Sequence, residues 1–264
     1  MLNILCCIKQ VPDVNLVKMD PITGSLIRKG VPAILNPLDA NAVEAAVRVK
    51  EQYGGSVTCI TMGPDQAVEA LRECLAAGAD SAVLLSDRAF ANADTLATSY
   101  VIATAAGELG PFDLIFCGKE SMDGATGQMA SQLAERFNAS QLSCVLEVLE
   151  VDRDGGTVTA VRELETGKET ARAKLPCLMT VEKERLRPRI PNLKSWKASR
   201  GAEILRRDSQ TIPGLDKDRI GDPGSPTKVP RTYPPVVGER GQMISEGTVE
   251  KDVMALMGLL FDVL

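Results

Sequence analysis

Phe112-Asp113-Leu114-Ile115-Phe116-Cys117-Gly118-Lys119-Glu120-Ser121-Met122-Asp123-Gly124-Ala125-Thr126-Gly127-Gln128-Met129 is the stretch that decides the fold. From Phe112 to Cys117 it is mainly apolar and reads as a buried strand. Met129, Leu133, Ala134 and Phe137 then recur at helical spacing. The residues between are therefore a strand-to-helix loop, with three glycines, a threonine and a glutamine around the helix start. Backbone N–H groups are unpaired at a helix start, and the helix dipole is positive there. Two readings fit such a loop: a phosphate cradle, and an ordinary polar loop with a capping residue.

Outward from this stretch the same alternation repeats. Leu2 to Ile8, Ser56 to Thr61 and Ser81 to Leu85 are short apolar runs. Helical patterns follow each: from Asn36-Pro37 to about Tyr53, from Gly63-Pro64-Asp65 to Gly78, and from Asn92 or Asp94 to about Leu109. Asp20-Pro21-Ile22-Thr23-Gly24 marks a hairpin-like excursion within residues 14–34. The rhythm over residues 1–137 predicts an α/β fold, a mostly parallel, doubly wound sheet covered by helices on both faces. Ligands of such sheets bind outside the carboxyl ends of the strands. Three loops converge there: Cys7 to Gln10, Met62 to Asp65, and Gly118 to Gln128.

After Asn138 the pattern changes. Residues 143–175 alternate apolar and polar, with turns at Asp154-Gly155-Gly156 and Thr166-Gly167-Lys168, and predict an antiparallel meander. Pro176 ends it, and Cys177 to Val181 is a further buried strand. The α/β domain is expected over residues 1–200, meander included. Residues 201–264 are expected to be an extended C-terminal arm closing in an amphipathic helix on Val249, Val253, Leu256, Met257, Leu260 and Phe261.

Composition removes several functions. The chain has no histidine among 264 residues, so the commonest general base and metal ligand are missing. A net charge of -5 and 3% aromatic residues argue against nucleic-acid binding. An RNA-binding role for the arginines between Arg185 and Arg207 meets the same objection. No apolar run reaches membrane-spanning length, and the N-terminus lacks a signal-peptide pattern. The seven cysteines form no C-x-x-C pair and read as reduced core residues of a cytoplasmic protein. Neither the Rossmann glycine motif nor the P-loop is present, and no acidic pair or nucleophile motif marks a catalytic or metal site. Asp123 suits an Asx turn as well as a ligand contact.

The dispersed motifs resemble the β subunit of electron-transfer flavoproteins. They are Cys7-Ile8-Lys9-Gln10-Val11-Pro12-Asp13, Asp20-Pro21 with Thr23-Gly24, Asn36-Pro37 with Asp39, and Met62-Gly63-Pro64. Ala76-Ala77-Gly78-Ala79-Asp80, Gly118-Lys119 through Gln128-Met129, Leu175-Pro176-Cys177 and Pro188-Arg189 continue the series. The resemblance implies an adenine-nucleotide α-hydrolase-like fold and an αβ heterodimer whose transfer flavin sits mainly on the α subunit. It implies a nucleotide site in this chain built from Cys7, Lys9, Asn36, Asp39, Met62, Gly63, Asp123, Gly124, Ala125, Thr126, Gly127, Gln128 and Met129. It also implies that Leu186, Pro188 and Arg189 dock an acyl-CoA dehydrogenase-type flavoenzyme, against the plain reading of a solvated charged surface.

What fills the nucleotide site divides this family. Conventional members hold AMP. Bifurcating members hold a FAD that takes hydride from NADH and sends single electrons to ferredoxin or flavodoxin and, through the α-subunit FAD, to the dehydrogenase. The short Met122–Thr126 loop, Asp20-Pro21-Ile22-Thr23-Gly24-Ser25-Leu26-Ile27-Arg28 and Gly224-Ser225-Pro226-Thr227 resemble the bifurcating branch, whereas Thr126-Gly127-Gln128-Met129 resembles the conventional loop. FAD is the expected ligand and AMP the alternative. A self-sufficient nucleotide-binding homodimer of similar fold is the rival.

Overall fold

A computed structural model of the chain describes residues 1–13, 18–19, 26–27, 32–182, 187–228, 241 and 243–261. Leu186 lies outside the described residues.

The chain opens with strand β1 (Leu2–Cys7), whose side chains alternate between two buried environments. Cys6 faces one core and Cys7 the other, because successive strand residues point to opposite faces. Strand β2 (Gln10–Pro12) leaves the sheet plane, and the excursion carries β3 (Lys18–Met19) paired antiparallel to β4 (Leu26–Ile27). It returns through β5 (Ala33–Leu35), which pairs antiparallel to β2. Helix α1 (Pro37–Tyr53) follows, with proline in its first turn, where no N–H is needed. Then come β6 (Gly55–Met62), α2 (Val68–Ala77), β7 (Ser81–Leu85), α3 (Thr95–Gly107), β8 (Leu114–Gly118) and α4 (Met129–Arg136).

The meander is β9 (Ser140–Asp152), β10 (Thr157–Leu164) and β11 (Gly167–Lys174), and β12 (Cys177–Val181) returns to the sheet. Helix α5 (Leu193–Gly201), β13 (Leu205–Arg207) and α6 (Val249–Phe261) complete the described elements.

Among the described residues one nine-stranded sheet runs in the order β11-β10-β9-β12-β8-β1-β6-β7-β13. The pairs from β9 through β13 are parallel, and β9-β10 and β10-β11 are antiparallel. Helices α1 and α2 cover one face over Ile4, Cys6, Cys59 and Phe116, and α3 and α4 cover the other over Leu5, Ile60, Ile115 and Cys117. Full burial of side chains such as Ile4, Leu5 and Phe116 stabilises the sheet by about 1.5–3 kcal/mol each. The parallel sheet, helices on both faces and the meander match the sequence reading. The outer strand β11 is mostly exposed and charged, which blunts its unpaired edge.

The expected change from domain to arm at residue 201 falls later. Strand β13 pairs in parallel with β7 at the far edge of the sheet. Ile212 and Ile220 are buried in the core beneath α3. The compact unit is Met1–Pro230, and Arg231–Leu264 forms a second unit that contains α6. An edge strand needs one neighbour only, so Leu205-Arg206-Arg207 folds without the apolar run by which interior strands are seen.

Candidate nucleotide site

The strand order reverses at β1, which pairs with β6 on one side and β8 on the other. A cavity of about 500 Å³ opens at the carboxyl ends of β1 and β8, where open α/β sheets bind ligands. Cys7, Met62, Ile102, Cys117, Met129 and Leu133 give it an apolar interior. Lys9, Asn36, Asp94, Thr95, Thr98, Lys119, Thr126, Gln128 and Thr227 supply polar groups.

The start of α1 holds the cavity together. Asp39, buried in the first turn, accepts the Lys9 N–H at 2.8 Å and the Gly118 N–H at 2.9 Å. One carboxylate thus pins the tips of β1 and β8. Burial pushes the Asp39 carboxyl up to about 7, against the pull of the Lys9 and Gly118 N–H groups. Asn36 is fully buried; it donates to the Glu120 carbonyl at 2.9 Å and accepts the Met122 N–H at 3.2 Å. Its backbone N–H donates to the Lys9 carbonyl at 2.9 Å. Both side chains border the cavity, yet they spend these polar atoms on its walls.

The loop after β8 then turns tightly, with the Ala125 N–H donating to the Ser121 carbonyl at 2.8 Å. Ala125 (φ 46°) and Gly127 (φ 62°) are left-handed on either side of Thr126, an alternation that turns successive N–H groups outward. Among the described residues the N–H groups of Thr126, Gly127 and Gln128 find no acceptor. No side chain caps α4, and its first turn holds no acid. Helix α3 differs: Asp94 caps it, accepting the Ala97 N–H at 3.0 Å. An anion is therefore favoured at α4 and opposed at α3. Thr95 donates to Gln128 Oε1 at 2.8 Å and ties the two helix starts together.

Lys9 reaches the loop from β1, its Nζ 2.7 Å from Asp123 Oδ1. Burial works to raise the Asp123 carboxyl, but hydrogen bonds from Lys9 and Ser121 outweigh it and hold it below its ordinary value.

Ten of the thirteen residues expected at the nucleotide site line this one cavity: Cys7, Lys9, Asn36, Asp39, Met62, Gly124, Thr126, Gly127, Gln128 and Met129. Asp123 and Ala125 shape the loop from outside. Gly63 lines a second cavity of about 510 Å³ with Pro64, Ser86 and Phe90. The two cavities share Met62 and Ala93. Sequence reading missed Thr95, Thr98 and Ile102, which α3 presents by its packing, and Ala93 in the turn before it, and saw Asp94 only as a helix cap.

The second expected surface lies elsewhere. Pro188 and Arg189 line a cavity of about 210 Å³ with α1, α2 and α5. Arg189 faces inward: its Nε donates to Glu44 at 2.8 Å and its Nη1 to Glu51 at 2.6 Å. Beside it Ile190 and Leu193 are 94% and 79% exposed, and Trp196 is half exposed. No helix of the described residues is long and apolar enough to cross a membrane, and no group of three or more His, Cys, Asp or Glu among them is arranged to hold a metal.

A mostly parallel sheet with helices on both faces and an uncapped loop at its switch point defines an α/β protein with a candidate ligand site at the carboxyl ends of its strands. Comparison with known proteins narrows it. The electron transfer flavoprotein domain family matches residues 23–212. The electron transfer flavoprotein subunit beta of Thermoanaerobacterium thermosaccharolyticum is 44% identical over 259 residues, covering 97% of this chain and 96% of that protein. The caffeyl-CoA reductase-Etf complex subunit CarD of Acetobacterium woodii is 42% identical over 260 residues, 98% of each chain. Protein FixA of Bradyrhizobium diazoefficiens is 40% identical over 262 residues, 97% of this chain and 90% of that one. The chain belongs to the electron transfer flavoprotein β-subunit family.

Proposed function

We infer that this chain is the β subunit of an αβ electron-transfer flavoprotein of the bifurcating kind, with FAD in the cavity between β1, β8 and the starts of α3 and α4. The adenine-nucleotide α-hydrolase-like reading of the fold belongs to the same proposal, supported by the strand-order reversal at the cavity. The phosphates are assigned to the free N–H groups of Thr126, Gly127 and Gln128 and the uncapped start of α4, with Lys9 close by. One observation favours FAD over AMP: the cavity borders, at Met62 and Ala93, a second one of about 510 Å³. A dinucleotide has a second half to put there and AMP has none. Bound there, FAD supplies hydride acceptance from NADH and one-electron transfer to ferredoxin or flavodoxin and, through the α-subunit FAD, to an acyl-CoA dehydrogenase-type flavoenzyme. This chain's own residues bind and orient: Asn36 and Asp39 fix the loops, and the apolar interior excludes water from the ring system.

Helix α6 supports the heterodimer. Val249, Val253, Met254, Leu256, Met257, Leu260 and Phe261 are all exposed within its own unit, an apolar surface of the kind that marks an interface. The exposed Ile190, Leu193 and Trp196 support docking of the dehydrogenase, with Pro188 and Arg189 as its base. All seven cysteines are free thiols, in keeping with a reducing, cytoplasmic setting.

The test is a count of flavins in the purified αβ complex, with mass analysis of the released nucleotides. Two FAD and no AMP are expected, together with NADH oxidation coupled to ferredoxin reduction. One FAD and one AMP would leave a conventional single-electron carrier. A nucleotide-saturated homodimer lacking any α partner would overturn the heterodimer as well.

A further inference from the structure

Asp94 has more partners than a helix cap requires. Its Oδ1 accepts the Ala97 N–H at the start of α3, and its Oδ2 accepts the Thr227 N–H at 3.0 Å from the far end of the compact unit. Its own N–H donates to Ser225 Oγ at 2.8 Å, and the buried Ser225 hydroxyl donates to the Gly221 carbonyl at 2.6 Å. The turn that offers these groups is firmly seated. Ile220 is in the core, and the Gly224 N–H donates to the Ile220 carbonyl at 3.0 Å. Gly221, at φ 56°, lies so close to the chain before α3 that an added Cβ would collide with the Ala89 carbonyl oxygen. Asp94 and Thr227 both line the nucleotide cavity.

We propose that Asp94 is a positioning residue for the nucleotide: its second carboxylate oxygen clasps the end of the Ser225–Thr227 turn against α3 and makes Thr227 part of the wall of the cavity. This rests on the nucleotide reading of that site and adds which part of the ligand the wall meets. The Asp94 charge opposes an anion at the α3 end, while the free N–H groups lie at the α4 end. The wall beside Asp94 is therefore assigned to an uncharged part of the ligand, ribose or ring, and the phosphates to the N–H groups of Thr126, Gly127 and Gln128. The structure thus gives the C-terminal part of the compact unit a role in nucleoside recognition separate from the phosphate loop.

Asp94→Asn separates the clasp from the cap. Asparagine caps helices as well as aspartate does. With its amide oxygen on Ala97, its NH2 faces the Thr227 N–H, so the clasp is lost while α3 stays capped. Ser225→Ala removes the acceptor of the Asp94 N–H from the other side. Both variants of the full chain, purified with its α subunit and stripped of nucleotide, are titrated with adenosine and with inorganic pyrophosphate, and their unfolding is followed without ligand. Expected are about a tenfold loss of adenosine affinity for Asp94→Asn, a smaller loss for Ser225→Ala, undiminished pyrophosphate binding and an unchanged unfolding midpoint. Adenosine affinity within twofold of the parent in both variants would overturn the wall. A parent protein that binds neither AMP nor FAD would instead remove the nucleotide reading beneath it.

Discussion

Asp39 Oδ1 accepts the Gly118 N–H at 2.9 Å, and a Cβ placed on Gly118 would stand 2.5 Å from that same oxygen. It would also stand 2.8 Å from the Leu38 carbonyl carbon. The end of β8 and the first turn of α1 are thus closer than any side chain at 118 permits. Gly118→Ala is expected to push α1 away from the sheet. The cost is about 1–3 kcal/mol, the usual penalty for overpacking a filled site. Urea unfolding of the two proteins measures it, and equal stability would mean that α1 shifts freely here.

The Asp39 carboxyl, raised to about 7, gives a pH dependence with a definite sign. Its folded value lies above its unfolded one, so between these two values the folded chain binds the extra proton. The Asp39 contribution to stability is full below the unfolded value, declines as pH rises toward about 7, and is level above it. The loss of the proton charges a buried group facing Lys9 and the Cys7 and Cys117 thiols, and the carboxylate gains strength as acceptor for the Lys9 and Gly118 N–H groups. The start of the loop after β8 is therefore expected to tighten as pH rises through neutrality while global stability declines. Carbon NMR of the labelled Asp39 carboxyl reads its titration directly. A midpoint near the ordinary aspartate value of about 4 would remove the dependence.

Much of this was legible in the sequence because interior parallel strands and amphipathic helices leave strong patterns. Ser81–Leu85 reads as a strand at its observed bounds, since all but its first residue are buried. The position of the cavity was legible through loops placed at strand ends, and ten of the residues expected at a nucleotide site line it. What stayed hidden depends on tertiary contact alone. Thr98 and Ile102 line the cavity because α3 packs beside it, which no local pattern announces. The β13 strand carries two arginines in three residues and pairs on one side only. Arg189 sits in a basic run that reads as exposed charge, but the buried Glu44, 145 residues away in sequence, turns it inward.

The Lys9–Asp123 pair separates two roles for Asp123. Both side chains are partly exposed, so breaking the pair is expected to change stability by under about 1 kcal/mol. If Asp123 only holds Lys9, Asp123→Asn frees that ammonium and removes a negative charge beside the phosphate loop. Phosphorylated nucleotides should then bind severalfold tighter at low salt, with the gain shrinking as salt rises. A direct ligand contact by the carboxylate predicts weaker binding. Titration with AMP at two ionic strengths distinguishes them.

Arg189 and its exposed neighbours should separate stability from partner exchange. Arg189 donates from its backbone N–H and Nε to Glu44 and from both terminal nitrogens to Glu51. Burial works to raise the Glu44 carboxyl, but Arg189 and Arg48 hold it below its ordinary value. Arg189→Ala leaves Glu44 with Arg48 alone and releases the segment from α1; a loss of about 1–3 kcal/mol is expected, in the range for hydrogen bonds to charged groups. Ile190→Ala and Leu193→Ala remove side chains that touch little of their own chain, and each should change stability by under about 0.5 kcal/mol. If these two form the docking face, electron transfer to the dehydrogenase partner should fall in both while the unfolding midpoint holds. Arg189→Lys adds a control: it keeps the charge but lacks the planar fork that spans Glu44 and Glu51, so stability should fall toward the alanine value. Stopped-flow transfer rates beside thermal unfolding read both quantities, and unchanged transfer in the Ile190 and Leu193 variants would move the docking face away from α5.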